Sequence, residues 1–515
     1  MDRVRVVSAH VVAGSAPAST GASVLQHFIG GKFEPSGGNV ATVAVTNPAT
    51  GDEIARVPVG TLEDVNRAVQ AAQAAFPGWR DTSVKQRAEV LFRFKALAEQ
   101  HLKELTALVV QEHGKNRAEA EAEVLKGLET VAYATGLPEI LAGNILEVSR
   151  GVYCHEVRRP LGVVASIVPF NFPAMVPLWT LPIAIACGNC LIMKPSEKVP
   201  LTLMRMAELL AQAGCPPGVL SIVHGTQVVA KGLAEHPRIA ALSFVGSSRV
   251  ADLLDKTARA TGKRALCMGG AKNHLIAMPD ADEDMAINDI MNSAFGSAGQ
   301  RCMAASVLLI VGKNRQAFIK KLTETAAKLQ PGQEVGQIGP VIDADSCSRI
   351  TKYVSECEQH GGSILLDGRA WSSDAKLPKG TWFGPTLLLH KSAQEPAMRE
   401  EIFGPVLSIL EVDSLDEAVR IENSNPYGNA ASIYTQSGQT ALEVERLGAG
   451  MIGVNIGVPV PREPFSFGGI ARSKFGDSAD ITGEGAVGFW TEKVKITSKW
   501  QPPKKRDVIS SSFIS

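Results

Sequence analysis

GVVASIVPFNFPAMVPLWTLPIAIACGNCLIM, residues 162–193, is the stretch on which the fold turns. Two short apolar runs, 162–168 and 190–193, flank a longer apolar segment, and each has the length of a strand buried on both faces. The whole is the longest apolar stretch in the chain. Pro169, Asn171, Pro173, Pro177, Pro182, Gly188 and Asn189 interrupt it, so it cannot supply the roughly 20 clean apolar residues of a membrane span. It therefore belongs to a core. Further along, residues 220–223, 239–244 and 275–277 repeat the pattern of a buried strand between helical stretches. A second series follows at 306–311, 363–366, 386–389, 406–412, 431–434 and 450–455. Strands alternating with helices predict α/β units with parallel sheets, and two series predict two such units of Rossmann-like build.

Toward the N-terminus, residues 27–33 read as a hairpin and Asn47-Pro-Ala-Thr-Gly51 as a second turn. Residues 61–112 carry apolar positions at helical spacing, with Glu63 and Asp64 suited to a first turn and Pro77-Gly78 predicted to break the run. No solenoid repeat and no low-complexity linker separates the two units. Residues 146–159 and 487–497 alternate apolar and polar side chains and read as exposed strands, which invite contact between subunits.

Composition excludes several classes. A chain of 515 residues is long enough for two packed domains. Lys plus Arg equals Asp plus Glu at 52 each, so no net field draws nucleic acid or an anionic membrane. Eight cysteines without regular spacing fit free thiols in a reducing compartment. Cys187-Gly-Asn-Cys190 is a single CxxC without a second pair or a histidine cluster, so it reads as structural, and no metal is expected. The first residues hold Arg3, Arg5 and His10 against one acid, Asp2, the bias of a mitochondrial transit peptide. Residues 1–26 are thus expected to be a transit peptide or disordered leader, with the mitochondrial matrix as destination and the cytoplasm as the alternative.

Most cysteines are inert filler. Cys302 differs because Gly296, Ser297, Ala298 and Gly299 precede it, residues small enough for a ligand and the backbone to approach closely. Phe295-Gly-Ser-Ala-Gly-Gln-Arg-Cys302 resembles the cysteine motif of the aldehyde dehydrogenase superfamily. The resemblance continues in register through Val168-Pro-Phe-Asn-Phe-Pro173, Met193-Lys-Pro-Ser-Glu197, Ser243-Phe-Val-Gly-Ser247, Glu400-Glu-Ile-Phe-Gly-Pro405 and Phe467-Gly-Gly469. Within that superfamily, Gly270-Ala-Lys-Asn-His274, Gly299-Gln-Arg-Cys-Met-Ala304 and Pro169-Phe-Asn-Phe-Pro-Ala-Met175 look like the methylmalonate-semialdehyde dehydrogenase branch, which acylates coenzyme A.

The resemblance implies a division of the chain and a set of roles. Residues 27–145 and 161–271 would form an NAD-binding domain and 272–480 a catalytic domain. Residues 146–160 and 484–500 would form a small β-extension that builds a homo-oligomer, a tetramer or dimer. Cys302 is the implied nucleophile, and the side chain of Asn171, with the Cys302 backbone N–H, the implied oxyanion donor. Phe170, Lys194, Glu197, Gly246, Ser247, Glu401 and Phe403 are the implied contacts to NAD. Glu197, placed on the adenosine ribose, would repel a 2′-phosphate and favour NAD over NADP. No Gly-x-Gly-x-x-Gly occurs, so the conventional dinucleotide fingerprint is absent.

One position departs from the hydrolytic members. They carry a general-base glutamate two residues before a Gly-Gly pair, and in register that position is Met268. A thioether accepts no proton at neutral pH, and residues 263–272 contain no acid. A thiol ionises far more readily than water, so the missing base predicts acyl transfer to coenzyme A. The alternative is a hydrolytic NAD-dependent semialdehyde dehydrogenase in which Glu401 or another acid is the base. Arg301, beside the nucleophile, is the expected anchor for a substrate carboxylate. The second cation implied by the resemblance is Lys126, where the branch has arginine. The reaction so implied is decarboxylating oxidation of methylmalonate or malonate semialdehyde to propionyl-CoA or acetyl-CoA, a step of valine and pyrimidine catabolism.

Overall fold

The computed structural model describes residues 23–500, apart from Asn39 and Asn314. Its architecture is mixed α/β around two main sheets. The first has eight strands. Leu220–Ile222, Cys190–Lys194, Val163–Ile167, Ala241–Val245 and Arg264–Met268 run parallel at its centre. The antiparallel His27–Ile29 and Lys32–Glu34 hairpin closes one edge. Val163–Ile167 and Cys190–Lys194 are buried at every residue, as continuous apolar runs require. Between them the segment folds into helix Met175–Ala186, itself wholly buried, and its Pro177 lies in the first turn, where a missing N–H costs no intrahelical bond.

The second sheet has seven strands in the order Ser363–Leu366, Thr386–Leu389, Val406–Val412, Ala305–Val311, Asn273–Ala277, Ala430–Tyr434 and Met451–Val454. All neighbours are parallel except the first pair. One cluster of buried apolar side chains runs through both units. The linker 269–272 is short, and it passes from the end of Arg264–Met268 straight into Asn273–Ala277.

Arg264–Met268 is a strand that its sequence pattern does not announce, because its apolar core is only Ala265-Leu-Cys-Met268. Three expectations need correction. Lys474–Gly476 lies in the first sheet, antiparallel to Arg264–Met268, so residues 272–480 return to the first unit before they end. Pro77-Gly78 does not break the helix Leu62–Asp81. The stop comes at Thr82, whose N–H and hydroxyl both donate to the Gly78 carbonyl, and Ser83 with Gln86 opens the next helix through a capping box. Finally, Asn144–Ser149, Val152–Pro160 and Thr491–Lys499 form a separate three-stranded sheet, but residues 484–489 belong to the helix Gly483–Phe489. Among the described residues no helix is long and apolar enough to cross a membrane.

Candidate active site

Cys302 follows helix Glu283–Phe295 through the turn Gly296–Gly299. Three successive residues there adopt the left-handed conformation: Ser297 (φ 50°), Ala298 (φ 51°) and Gly299 (φ 67°). For non-glycine residues this costs about 1–3 kcal/mol each and persists only where surroundings hold it. They do so here. The Ser297 N–H donates to Glu119 at 2.7 Å, and Gln300 accepts from the Ile342 N–H at 2.9 Å. A Cβ at Gly299 would stand 2.0 Å from the Gly404 carbonyl, so only glycine permits that approach.

Past the turn, the Cys302 carbonyl accepts from the side-chain amides of Asn273 (2.8 Å) and Asn429 (2.9 Å), which fixes the peptide. The thiol is half-buried. Burial first, then the negative charge of Glu401, pushes its pKa up to about 12, against the backbone N–H groups of Cys302 and Met303 and against Arg301.

Glu401 lines the same pocket as Cys302, together with Lys272, Arg301 and Phe403. It accepts from the Ala271 N–H at 2.9 Å, and burial raises its pKa to about 7. Its loop is braced by Arg349, which donates to the Ile402 carbonyl, and by Tyr353, whose hydroxyl donates to Glu400 at 2.6 Å. Phe403 is left-handed (φ 54°) and meets Phe170 edge-on at 5.8 Å between centroids. That contact brings the Asn171 loop to the Glu401 loop. Met268 is buried, and its carbonyl accepts from the Gly246 N–H at 3.1 Å.

Of the residues expected to hold NAD, Gly246 meets the Met268 carbonyl and Glu401 the Ala271 N–H, one at each end of the linker. Lys194 and Glu197 stand 3.5 Å apart at the carboxyl end of Cys190–Lys194, where α/β sheets take ligands. Ser247 caps helix Ser248–Ala260 without a side-chain bond, leaving first-turn N–H groups for an anion. Gly246 has no room for a Cβ, which would stand 2.4 Å from the Phe244 ring. These features fit a dinucleotide pyrophosphate and ribose.

The two expected carboxylate anchors differ. Arg301 shares one nitrogen between Glu119 (3.3 Å) and the Asn292 carbonyl (3.2 Å), while its buried Nε has no partner and remains a donor beside Cys302. Lys126 is paired with Glu129 and does not line the Cys302 pocket. Sequence reasoning missed Asn429, Glu119, Lys115 and Glu123, which act across the fold, and took Asn273 only as part of a motif. Among the described residues one grouping has metal-ligand spacing, Cys357, His390 and Glu395. Its imidazole Nδ1 already meets Glu395 at 2.6 Å, and its Nε2 meets Ser408 at 3.1 Å.

Residues 35–495 match the model of the aldehyde dehydrogenase family. Malonate-semialdehyde dehydrogenase 2 of Geobacillus kaustophilus (strain HTA426) is 44% identical over 94% of this chain and 100% of its own length. Malonate-semialdehyde dehydrogenase of Halalkalibacterium halodurans is 43% identical over 92% and 98%. The crystal structure of methylmalonate-semialdehyde dehydrogenase (DddC) from Oceanimonas doudoroffii superposes with a TM-score of 0.91 at 40% identity, covering 93% of this chain and 99% of that one. A Sinorhizobium meliloti 1021 structure complexed with NAD superposes equally well, at 0.91 and 37% identity, covering 94% and 99%. These relatives are bacterial and give mitochondrial import no support. Residues 1–22 of the leader that suggested it lie outside the described residues.

Proposed function

The chain belongs to the aldehyde dehydrogenase family, and from that premise we propose that it oxidises malonate or methylmalonate semialdehyde with NAD and transfers the acyl group from Cys302 to coenzyme A. The Cys302 thiolate adds to the aldehyde carbon, and the resulting oxyanion is met by the Cys302 N–H and the Asn171 amide. NAD, when bound, accepts the hydride that leaves this carbon, so the thiohemiacetal becomes a thioester. Lys194, Glu197, Gly246, Ser247, Phe170, Glu401 and Phe403 hold the cofactor, and the unpartnered Arg301 Nε takes the substrate carboxylate. From malonate semialdehyde the thioester carries a carboxylate beta to its carbonyl. Cleavage of that C–C bond releases carbon dioxide and leaves the electron pair as an enolate, which is protonated to acetyl-Cys302. Methylmalonate semialdehyde gives propionyl-Cys302 in the same way. The coenzyme A thiolate then displaces Cys302.

The observation that carries this reading is Met268, which is buried and which the family resemblance puts in register with the base of hydrolytic members. A second reading, hydrolysis to the free acid, draws on Glu401, which shares the Cys302 pocket and is raised to about 7. Following NADH formation from both semialdehydes with and without coenzyme A separates the two. Turnover that needs coenzyme A supports acylation; equal turnover without it, yielding free acid, supports hydrolysis. Cys302→Ser should abolish NADH formation in either case.

A further inference from the structure

The loop that carries Asn171 lies between strand Val163–Ile167 and helix Met175–Ala186, and it has no regular structure of its own. Its backbone groups must find partners elsewhere. They find them on two charged residues that no step above uses. The Lys115 ammonium donates to the Asn171 carbonyl at 2.8 Å and to Glu123 at 2.5 Å, and it stands 4.3 Å over the Phe172 ring. The other oxygen of Glu123 accepts from the Ala174 N–H at 2.8 Å and the Met175 N–H at 3.3 Å. Both side chains are fully buried. Three successive parts of the loop, at residues 171, 172 and 174–175, are thus tied to one ion pair.

Glu123 lies on helix Arg117–Thr135, with Lys115 just before its N-cap, and that helix also holds the nucleophile's turn. Glu119, one turn before Glu123, accepts from the Ser297 N–H and from Arg301. The helix is itself anchored, with Asn116 capping it and donating to the Gln337 carbonyl at 2.8 Å. At Gly127 it approaches helix Met175–Ala186 so closely that a Cβ would stand 2.7 Å from Leu178. One rigid element therefore sets the position of both the Asn171 loop and the Cys302 turn.

A buried ion pair adds little net stability over well-packed apolar residues, because desolvation offsets the attraction. What it supplies is direction: a fixed donor for a carbonyl and fixed acceptors for two N–H groups. We propose that Lys115 and Glu123 are positioning residues that hold the Asn171 amide at oxyanion distance from Cys302. This rests on the reading of Asn171 as oxyanion donor. Displacing a catalytic group by about 1 Å can slow chemistry roughly 10²-fold without weakening ligand binding.

The test is a double-mutant cycle on the single-turnover rate of NADH formation from malonate semialdehyde, which reports acylation whatever accepts the acyl group. Asn171→Ala should slow it by roughly 10²–10³-fold, the usual cost of one oxyanion donor. Lys115→Met should slow it by roughly 10²-fold with NAD affinity unchanged. The double variant should be no slower than Asn171→Ala alone, since a positioning residue has nothing left to position. Multiplicative losses, or a wild-type rate in Lys115→Met beside a slow Asn171→Ala, overturn the clamp and leave the oxyanion assignment standing. A wild-type rate in Asn171→Ala overturns that assignment, and the clamp with it. Should Lys115→Met fail to fold, Glu123→Gln, which keeps size and loses charge, runs through the same cycle with the same outcomes.

Discussion

Cys302 carries a difficulty in its own electrostatics. Burial, then the charge of Glu401, pushes its pKa up to about 12, so the thiolate is scarce near neutrality. The sign gives a prediction. Glu401→Gln removes a negative charge, so the thiol pKa falls and alkylation of Cys302 by iodoacetamide at mildly alkaline pH should be faster than in the wild type. A slower or equal rate would show that Glu401 does not govern the thiol. At the proposed cofactor site, Glu197→Ser removes the carboxylate 3.5 Å from Lys194 and leaves the lysine without that partner. Measured kcat/KM with NADP should rise by roughly tenfold, equivalent to about 1.4 kcal/mol. The residues proposed as nucleophile, oxyanion donor and cofactor contacts were open to sequence reading because each sits in a contiguous motif. Asn429 was not, because its work is to hold a carbonyl 127 positions away, and no local pattern encodes that contact. Lys126 was legible as a charge but not as a partner of Glu129, one helical turn on.

Elements were readable where a run of apolar residues was long enough. Ser363–Leu366, Thr386–Leu389 and Val406–Val412 fall where their patterns place them, with both ends correct. Arg264–Met268 escaped because two of its five residues, Arg264 and Cys267, give no strong strand signal, although the sheet buries it between two neighbours. Helix Leu201–Gln212 shows a long-range device of the same kind. It has no local side-chain cap, and Glu112 supplies one from another helix, accepting from the N–H groups of Leu201 (2.6 Å) and Thr202 (3.0 Å). Burial raises the Glu112 pKa from 4.5 to about 7 in spite of these bonds. A folded pKa above the unfolded one means the folded state binds the proton more tightly. The contribution of Glu112 to stability is therefore complete below 4.5 and is lost as pH rises through about 7. Glu112→Gln removes that dependence, so the apparent melting temperature of the wild type should fall relative to the variant as pH rises through this window. Parallel curves would contradict it.

At the scale of the molecule, the three-stranded sheet outside both units leaves Asn144–Ser149 exposed along its whole length, with Ile145, Leu146 and Val148 more than half exposed. On the second main sheet, the edge strand Met451–Val454 exposes Ile452 and Val454. Unpaired apolar edges of this kind invite contact with further copies of the chain, as expected of a homo-oligomer. Leu146→Asp should shift the mass measured by light scattering toward the monomer, and an unchanged mass would exclude this sheet as the contact. The two-unit plan was legible in the alternation of strands and helices. The return of Lys474–Gly476 to the first sheet was not, since three residues carry no periodicity. That return helps fix the linker between Met268 and Asn273, along which the cofactor turn, Glu401 and Cys302 converge. With Met268 in place of a base, the thioester on Cys302 should outlive its formation until a thiol arrives. Intact-protein mass spectrometry after mixing enzyme, NAD and malonate semialdehyde measures this directly. An acetyl adduct on Cys302 should accumulate without coenzyme A and be cleared by it as acetyl-CoA. No adduct, with free acid released at full rate without coenzyme A, would contradict it.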